Sequence, residues 1–135
     1  MLVEDSDDDV MLFQLALRRT GLGESFNVVW RFQNGEQSLD YFLNRSRSLQ
    51  PEPLPDILIL DLKLPGCSGL DVLDRLQTLK PRPVTAMFST SILPEDKERA
   101  TALGVDIFQT KTFELSEFSR FLNWLAHLAD FRARG

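Results

Sequence analysis

The side chains in this sequence able to do chemistry are carboxylates, hydroxyls and one well-placed ammonium. Glu4 and Asp5 follow "MLV", Asp61 follows "ILIL", Ser89 follows "VTAMF" and Lys111 follows "VDIFQT". Each sits where an apolar run ends. Three carboxylates drawn together repel one another, and an unrelieved cluster raises the pKa of at least one. A hard divalent cation relieves that repulsion, and Mg2+ favours a few carboxylates completed by waters and phosphate oxygens. An ammonium and a hydroxyl alongside would receive an anion. Phosphoryl transfer wants this combination: a carboxylate attacks phosphorus, Mg2+ and lysine neutralise the equatorial oxygens, and a hydroxyl donates to one of them. Each residue also has a plainer reading. Glu4 and Asp5 could merely open the acidic helix start "EDSDDD", Ser89 could cap a helix, and Lys111 could be a solvated charge. Their coincidence at successive strand ends favours a site.

Those ends have to meet at one edge. The run before Asp61 is short and apolar on both faces, which suits the middle of a parallel sheet, and "PGCSG" after it is a turn. "MLV" (1–3), "FNVVWRF" (26–32), "DILILD" (56–61), "VTAMF" (84–88) and "VDIFQ" (105–109) read as five strands. Helical patterns alternate with them. The first is capped by Ser6 with Asp7 to Asp9 in its first turn, the second starts near Asn34, and the third is "CSGLDVLDRLQTLK". A fourth covers roughly 94–103 and a long fifth begins at about 115. Such alternation predicts a parallel sheet covered on both faces, doubly wound by right-handed crossovers. In open sheets of this kind ligands bind outside the carboxyl ends of the strands, where the candidate residues fall. "NRSRSLQPEPLPD" (44–56) reads as a surface loop.

Composition narrows the classes. The chain has 135 residues, 43% of them hydrophobic, which predicts one domain over 1–135 with a real core. No apolar stretch is long enough for a membrane span, and no secretory pattern opens the chain. Cys67 stands alone and cannot form an internal disulfide, so a cytoplasmic setting is expected. With a net charge of −5 and no basic run, protein partners and cations fit better than nucleic acid.

The ordered set resembles the receiver domain of two-component response regulators over essentially the whole chain. The matching residues are Glu4–Asp5, "LDLKLPGCSG" with Asp61, Pro65 and Gly69, then Ser89, Phe108 and Lys111. The resemblance implies a flavodoxin-like α/β fold, a doubly wound five-stranded parallel sheet of order 2-1-3-4-5 with five helices. It implies Asp61 as phosphoacceptor, with Glu4, Asp5, Asp61 and the backbone carbonyl of Lys63 holding Mg2+. Lys111 and Ser89 would bind the phosphoryl group. Ser89 and Phe108 would be the switch pair, the ring changing rotamer as the hydroxyl follows the phosphoryl group. The chain would then be a phosphoacceptor and not an enzyme on outside substrates. A sensor histidine kinase would supply the group. The long loop before the third strand and "LVEDSDDD" are most similar to small stand-alone regulators of bacterial phytochromes, implying a phytochrome-like kinase. Only "RARG" follows the last helix, so the expectation is no attached output domain and a signal that leaves by protein contact.

Departures and rivals sharpen the reading. Thr112 stands where the family usually has a cis proline, and a cis bond without proline costs about 2.5–4 kcal/mol, so a trans Lys111–Thr112 bond is expected. Phe108 stands where tyrosine is frequent. A receiver-like interaction module without phosphorylation would lack Asp5, Asp61 or Lys111, and all are present. A small Mg2+-dependent phosphatase would need an additional acid or base at the site and a substrate cap, neither of which the chain offers. The haloacid-type motif needs a second acid two residues after Asp61, where Lys63 stands. A flavin protein of this fold would need a phosphate loop where "EDSDDDV" is acidic.

The last helix raises a separate expectation. "ELSEFSRFLNWLAHLADF" carries one apolar stripe through Leu115, Phe118, Leu122, Leu125 and Ala129, and a second through Phe121, Trp124, Leu128 and Phe131. One stripe suffices to cover a sheet. Either neighbouring helices cover the second, or it is exposed. The expectation is an exposed homodimer interface of Phe121, Trp124 and Leu128, with Trp124 and Phe121 near its centre. The same face could alternatively dock the kinase or target. His127 and Cys67 read as surface bystanders, and Trp30 as strand packing.

Overall fold

The computed structural model describes residues 1–28, 30–51 and 53–134. Apolar runs bounded by turns form the strands β1 (Leu2–Val3), β2 (Arg31–Phe32), β3 (Ile57–Leu60), β4 (Val84–Ser89) and β5 (Ile107–Thr110). Between them lie α1 (Asp7–Arg19), α2 (Gly35–Arg47), α3 (Gly69–Leu76), α4 (Pro94–Ala102) and α5 (Leu115–Arg134). All strand pairs are parallel and the order is β2-β1-β3-β4-β5. This is the expected doubly wound sheet.

Helix starts follow the polar residues before them. The Ser6, Asn34 and Ser68 side chains accept from backbone N–H groups of Asp9, Gln37 and Asp71, satisfying donors that a helix leaves open. At α3 the Asp71 carboxylate also accepts from the Ser68 N–H, closing a capping box.

Side-chain alternation sorts the core into two layers. Val3, Leu58, Leu60 and Met87 face α2, α3 and α4, meeting Phe42, Leu70, Leu73, Leu76 and Ala100. Leu2, Ile59, Ala86 and Phe88 face α1 and α5, meeting Phe13, Leu17, Phe118, Phe121, Leu122 and Leu125. Every residue of β4 is buried, as a central strand requires.

Several boundaries differ from expectation, and β5 runs over Ile107–Thr110 in place of 105–109. β2 is only Arg31–Phe32, not 26–32, because its sole partner β1 offers just Leu2 and Val3 to pair with. Val29 of that run lies outside the described residues. α2 continues through Arg47, taking up residues 44–47, while α3 stops at Leu76 ahead of Pro81 and Pro83.

The α5 expectation is corrected. Phe121 is 4% exposed and stacks on Phe88 at a centroid distance of 5.3 Å, and Leu128 packs against the same layer. The floor under α5 is wide: besides Phe88, the partly buried Ile107 and Phe113 belong to it. A single stripe does not cover it, so the helix buries an arc through Phe118, Phe121, Leu122 and Leu125 and leaves Leu115 exposed. Of the second stripe Trp124 and Phe131 stay open, at 61% and 77%.

Close backbone approach pins the loop after β3. The Gly69 N–H donates to the Leu62 carbonyl at 2.9 Å, and a Cβ on Gly69 would lie 2.3 Å from the Asp61 carbonyl oxygen. Backbone cannot step aside as a side-chain tip can. Gly69→Ala is therefore predicted to destabilise by about 1–3 kcal/mol, the usual cost of overpacking. Urea unfolding should show a lower midpoint at unchanged slope; an unchanged midpoint would refute the constraint.

Candidate functional site

The ladder itself delivers the acids. The Glu4 N–H donates to the Phe32 carbonyl at 3.0 Å and the Asp61 N–H to the Val3 carbonyl at 3.0 Å, extending β1 and β3 by one residue each. Side by side at the sheet's carboxyl edge, Glu4, Asp5 and Asp61 hold carboxylate oxygens within 4.8 Å of one another. Glu4 and Asp61 are buried and Asp5 is exposed, so the group opens to solvent on one side. All its donors are hard oxygens, the set that suits Mg2+.

Lys111 arrives the same way from β5: its N–H donates to the Ser89 carbonyl at 2.7 Å. The Lys111–Thr112 bond is trans, as expected; the only cis bond among the described residues is Lys80–Pro81. Its ammonium, 7% exposed, donates to Glu4 Oε2 at 2.7 Å, Asp9 Oδ2 at 2.7 Å and Asp61 Oδ2 at 3.0 Å. Three donors meet three carboxylates.

Asp9 is the member that sequence reasoning missed, having read it only as a helix-dipole acid. A signal was available. Side chains tilt toward the N-terminus of their helix, and the N-terminus of α1 lies at the site, so the third residue of its first turn points back to the strand ends. The Ser6 cap fixes that turn, its Oγ accepting from the Asp9 N–H at 3.2 Å, while the Ser6 N–H donates to Glu4 Oε1 at 3.1 Å.

The remaining expected residues lie around this centre. The Lys63 N–H donates to Asp61 Oδ1 at 3.3 Å, and its side chain is exposed. Ser89 is fully buried at the end of β4, its Oγ accepting from the Ser91 N–H at 3.3 Å. Phe108 is aligned with Met87 across the β4–β5 pair and is partly buried in the α3/α4 layer. Cys67 is half-buried, a little less open than expected, and burial raises its thiol pKa. Its N–H donates to Glu36 Oε1 at 2.9 Å, which ties the turn after Asp61 to the start of α2. His127 is exposed. A cavity of about 870 Å³ lies at the opposite, amino end of the strands, lined by Phe26, Trp30, Leu54, Ile57 and Ala129 among others, and shares no residue with the site.

Charge is uneven here. Burial alone would lower the Lys111 pKa, but hydrogen bonds to Asp9, Glu4 and Asp61 outweigh it and hold the ammonium charged well above its usual range. Glu4 is pushed up from 4.5 to about 7, mainly by burial and further by Asp61, against the opposing pull of Lys111 and the Ser6 N–H.

The Glu4 shift has a sign that can be tested. An acid whose folded pKa is raised binds a proton in the folded state that the unfolded chain has released, so stability falls as pH rises from 4.5 to about 7. In a chelator, wild type should lose stability across that window relative to Glu4→Gln, on the order of 1 kcal/mol or more. Parallel stability–pH curves for the two proteins would refute the assignment.

Residues 1–123 match the response regulator receiver domain family. The chain is 30% identical over 120 residues to the nitrate/nitrite response regulator NarL of Escherichia coli, covering 89% of this chain and 52% of NarL, so it spans about half that relative's length. Among solved structures, the bacteriophytochrome response regulator RtBRR is similar with a TM-score of 0.72 and 33% identity, over 92% of this chain and 75% of that one. The phosphorylated cyanobacterial phytochrome response regulator RcpA is similar with a TM-score of 0.68 and 25% identity, over 96% and 89%. The sheet order agrees with these matches, and the chain belongs to the response regulator receiver domain family.

Proposed function

We propose that this receiver acts in a two-component system, taking a phosphoryl group from a sensor histidine kinase onto Asp61 in a Mg2+-dependent reaction. The observation that carries the reading is the Lys111 ammonium 3.0 Å from Asp61 Oδ2, beside the gathered oxygens of Glu4, Asp5 and Asp61. The Asp61 carboxylate attacks phosphorus. As the O–P bond forms, the P–N bond of the donor phosphohistidine breaks and the imidazole leaves with the electron pair. Lys111 receives the oxygens of the transferred group. Glu4, Asp5, Asp61 and the Lys63 carbonyl would hold Mg2+, which when bound supplies the charge neutralisation that the transfer needs.

Ser89 and Phe108 serve as the switch in this reading. A Ser89 hydroxyl turned toward the phosphoryl group releases the Ser91 N–H it now accepts from, loosening the start of the loop into α4. Phe108, only partly buried on β5, would turn further inward in this reading. Similarity to phytochrome regulators supports a phytochrome-like kinase as donor. A cytoplasmic setting accords with the unpaired Cys67. The signal leaves by protein contact, and the open flank of α5 suits a homodimer, with Trp124 and Phe131 at its centre in place of the buried Phe121.

Two measurements test these statements. Incubation with acetyl phosphate and Mg2+ should add the mass of one phosphoryl group to wild type and none to Asp61→Asn or to wild type in chelator. Equal labelling of the variant would defeat the assignment. In sedimentation, wild type should dimerise and the Trp124→Glu, Phe131→Glu double variant should not; a wild type that stays monomeric at high concentration, phosphorylated or not, would sink the dimer.

A further inference from the structure

Lys111 is held by one carboxylate more than the cation site uses. Its partners Glu4 and Asp61 belong, with Asp5, to the cluster of gathered oxygens, and Asp9 stands outside that cluster. The second oxygens of the two buried acids are also engaged: Glu4 Oε1 accepts from the Ser6 N–H and Asp61 Oδ1 from the Lys63 N–H. With the ammonium seated, neither acid has an oxygen free of a protein donor. A divalent cation that takes Glu4 and Asp61 therefore competes with the ammonium for their remaining lone pairs, and two positive charges so close repel one another. An ammonium only 7% exposed is not solvated where it stands, and needs another partner nearby.

We propose that Asp9 is a positioning residue that keeps the Lys111 ammonium at the site when a divalent cation takes Glu4 and Asp61. The proposal rests on the reading of Asp61 as a phosphoacceptor in a divalent-cation site. Asp9 suits the task on three counts. At 2.7 Å it already shares the ammonium, so Lys111 need only let go of the other two. It is carried by α1, an element that contributes none of the gathered oxygens, and the Ser6 cap fixes its turn. Its side chain is 30% exposed, so its charge is less costly to hold than that of Glu4 or Asp61. Without Asp9, the ammonium and the cation would compete for the same two acids.

Calorimetric titration with Mg2+ of wild type, Asp9→Asn, Lys111→Met and the double variant tests this. Asp9→Asn should raise the Mg2+ dissociation constant at least roughly threefold in the wild-type background, and leave it unchanged when Lys111 is already Met. An equal loss in both backgrounds would make Asp9 a plain charge or a metal ligand and overturn the proposal, as would no loss in Asp9→Asn. If Lys111→Met does not fold, a crystal structure of wild type with Mg2+ decides. Nζ clear of Glu4 and within hydrogen-bonding distance of Asp9 is the expected result, and Nζ still on Glu4, or away from Asp9, overturns it. A wild type that neither binds Mg2+ nor takes up a phosphoryl group overturns the phosphoacceptor reading and this proposal together. One that is labelled normally while Asp9→Asn titrates like wild type overturns this proposal alone.

Discussion

One buried ammonium organises the carboxyl edge of this molecule. Lys111 comes from the end of β5, Glu4 from the end of β1, Asp61 from the end of β3 and Asp9 from the first turn of α1. Four elements, spread from residue 4 to residue 111, must be in register for the three ion pairs to form. Taking charges out of water is expensive, and the attraction between them compensates only where geometry is good and remaining donors are satisfied. Here the Ser6 and Lys63 N–H groups occupy the other oxygens of the two buried acids. The cluster is thus complete as it stands, yet dense in negative charge. Such a site is held together by its ammonium.

The scaffold beneath it is built to resist that tension. β3 and β4 are largely apolar and buried; their parallel ladder runs unbroken to Leu60, the residue before Asp61, and the β4–β5 ladder carries on to Ser89. Glycine allows the backbone to close in where side chains would interfere. Gly69 lies against the Asp61 carbonyl, and Gly35 against the Cys67 carbonyl, where a Cβ would come within 2.6 Å. With Glu36 bound to the Cys67 N–H, the turn carrying Lys63 is anchored to both α2 and α3. The acidic centre is therefore rigid from below, while Asp5 and Asp9 leave it open above. In the proposed reading, a rigid acceptor and an open approach suit transfer from a large partner.

α5 shows how the same physics makes a surface. Its apolar arc is broader than one sheet face needs, and Phe88, in an aromatic floor shared with Phe113, draws Phe121 into a stacked contact. Trp124 and Phe131 lie beyond the reach of that floor and remain in water. Residues three or four apart on one helix thus divide between core and surface at the rim of the sheet.

The sequence by itself determined the alternation of strands and helices, their parallel arrangement, and the strand ends that carry Glu4, Asp5, Asp61, Ser89 and Lys111. These were legible because they depend on local facts: short buried strands are uniformly apolar, caps are polar, and the turn after each strand interrupts the run. Ser6, Asn34 and the "PGCSG" turn announced themselves for the same reason. Only the tertiary structure decided the rest. The partnership of Asp9 with Lys111 requires the N-terminus of α1 to stand over β5, 102 residues away in the chain. The shortness of β2 was set by how little of β1 there is to pair with, and the burial of Phe121 by the width of the floor beneath it. Each of these depends on what lies opposite a residue in space, and periodicity along one segment carries no information about the segment it will meet.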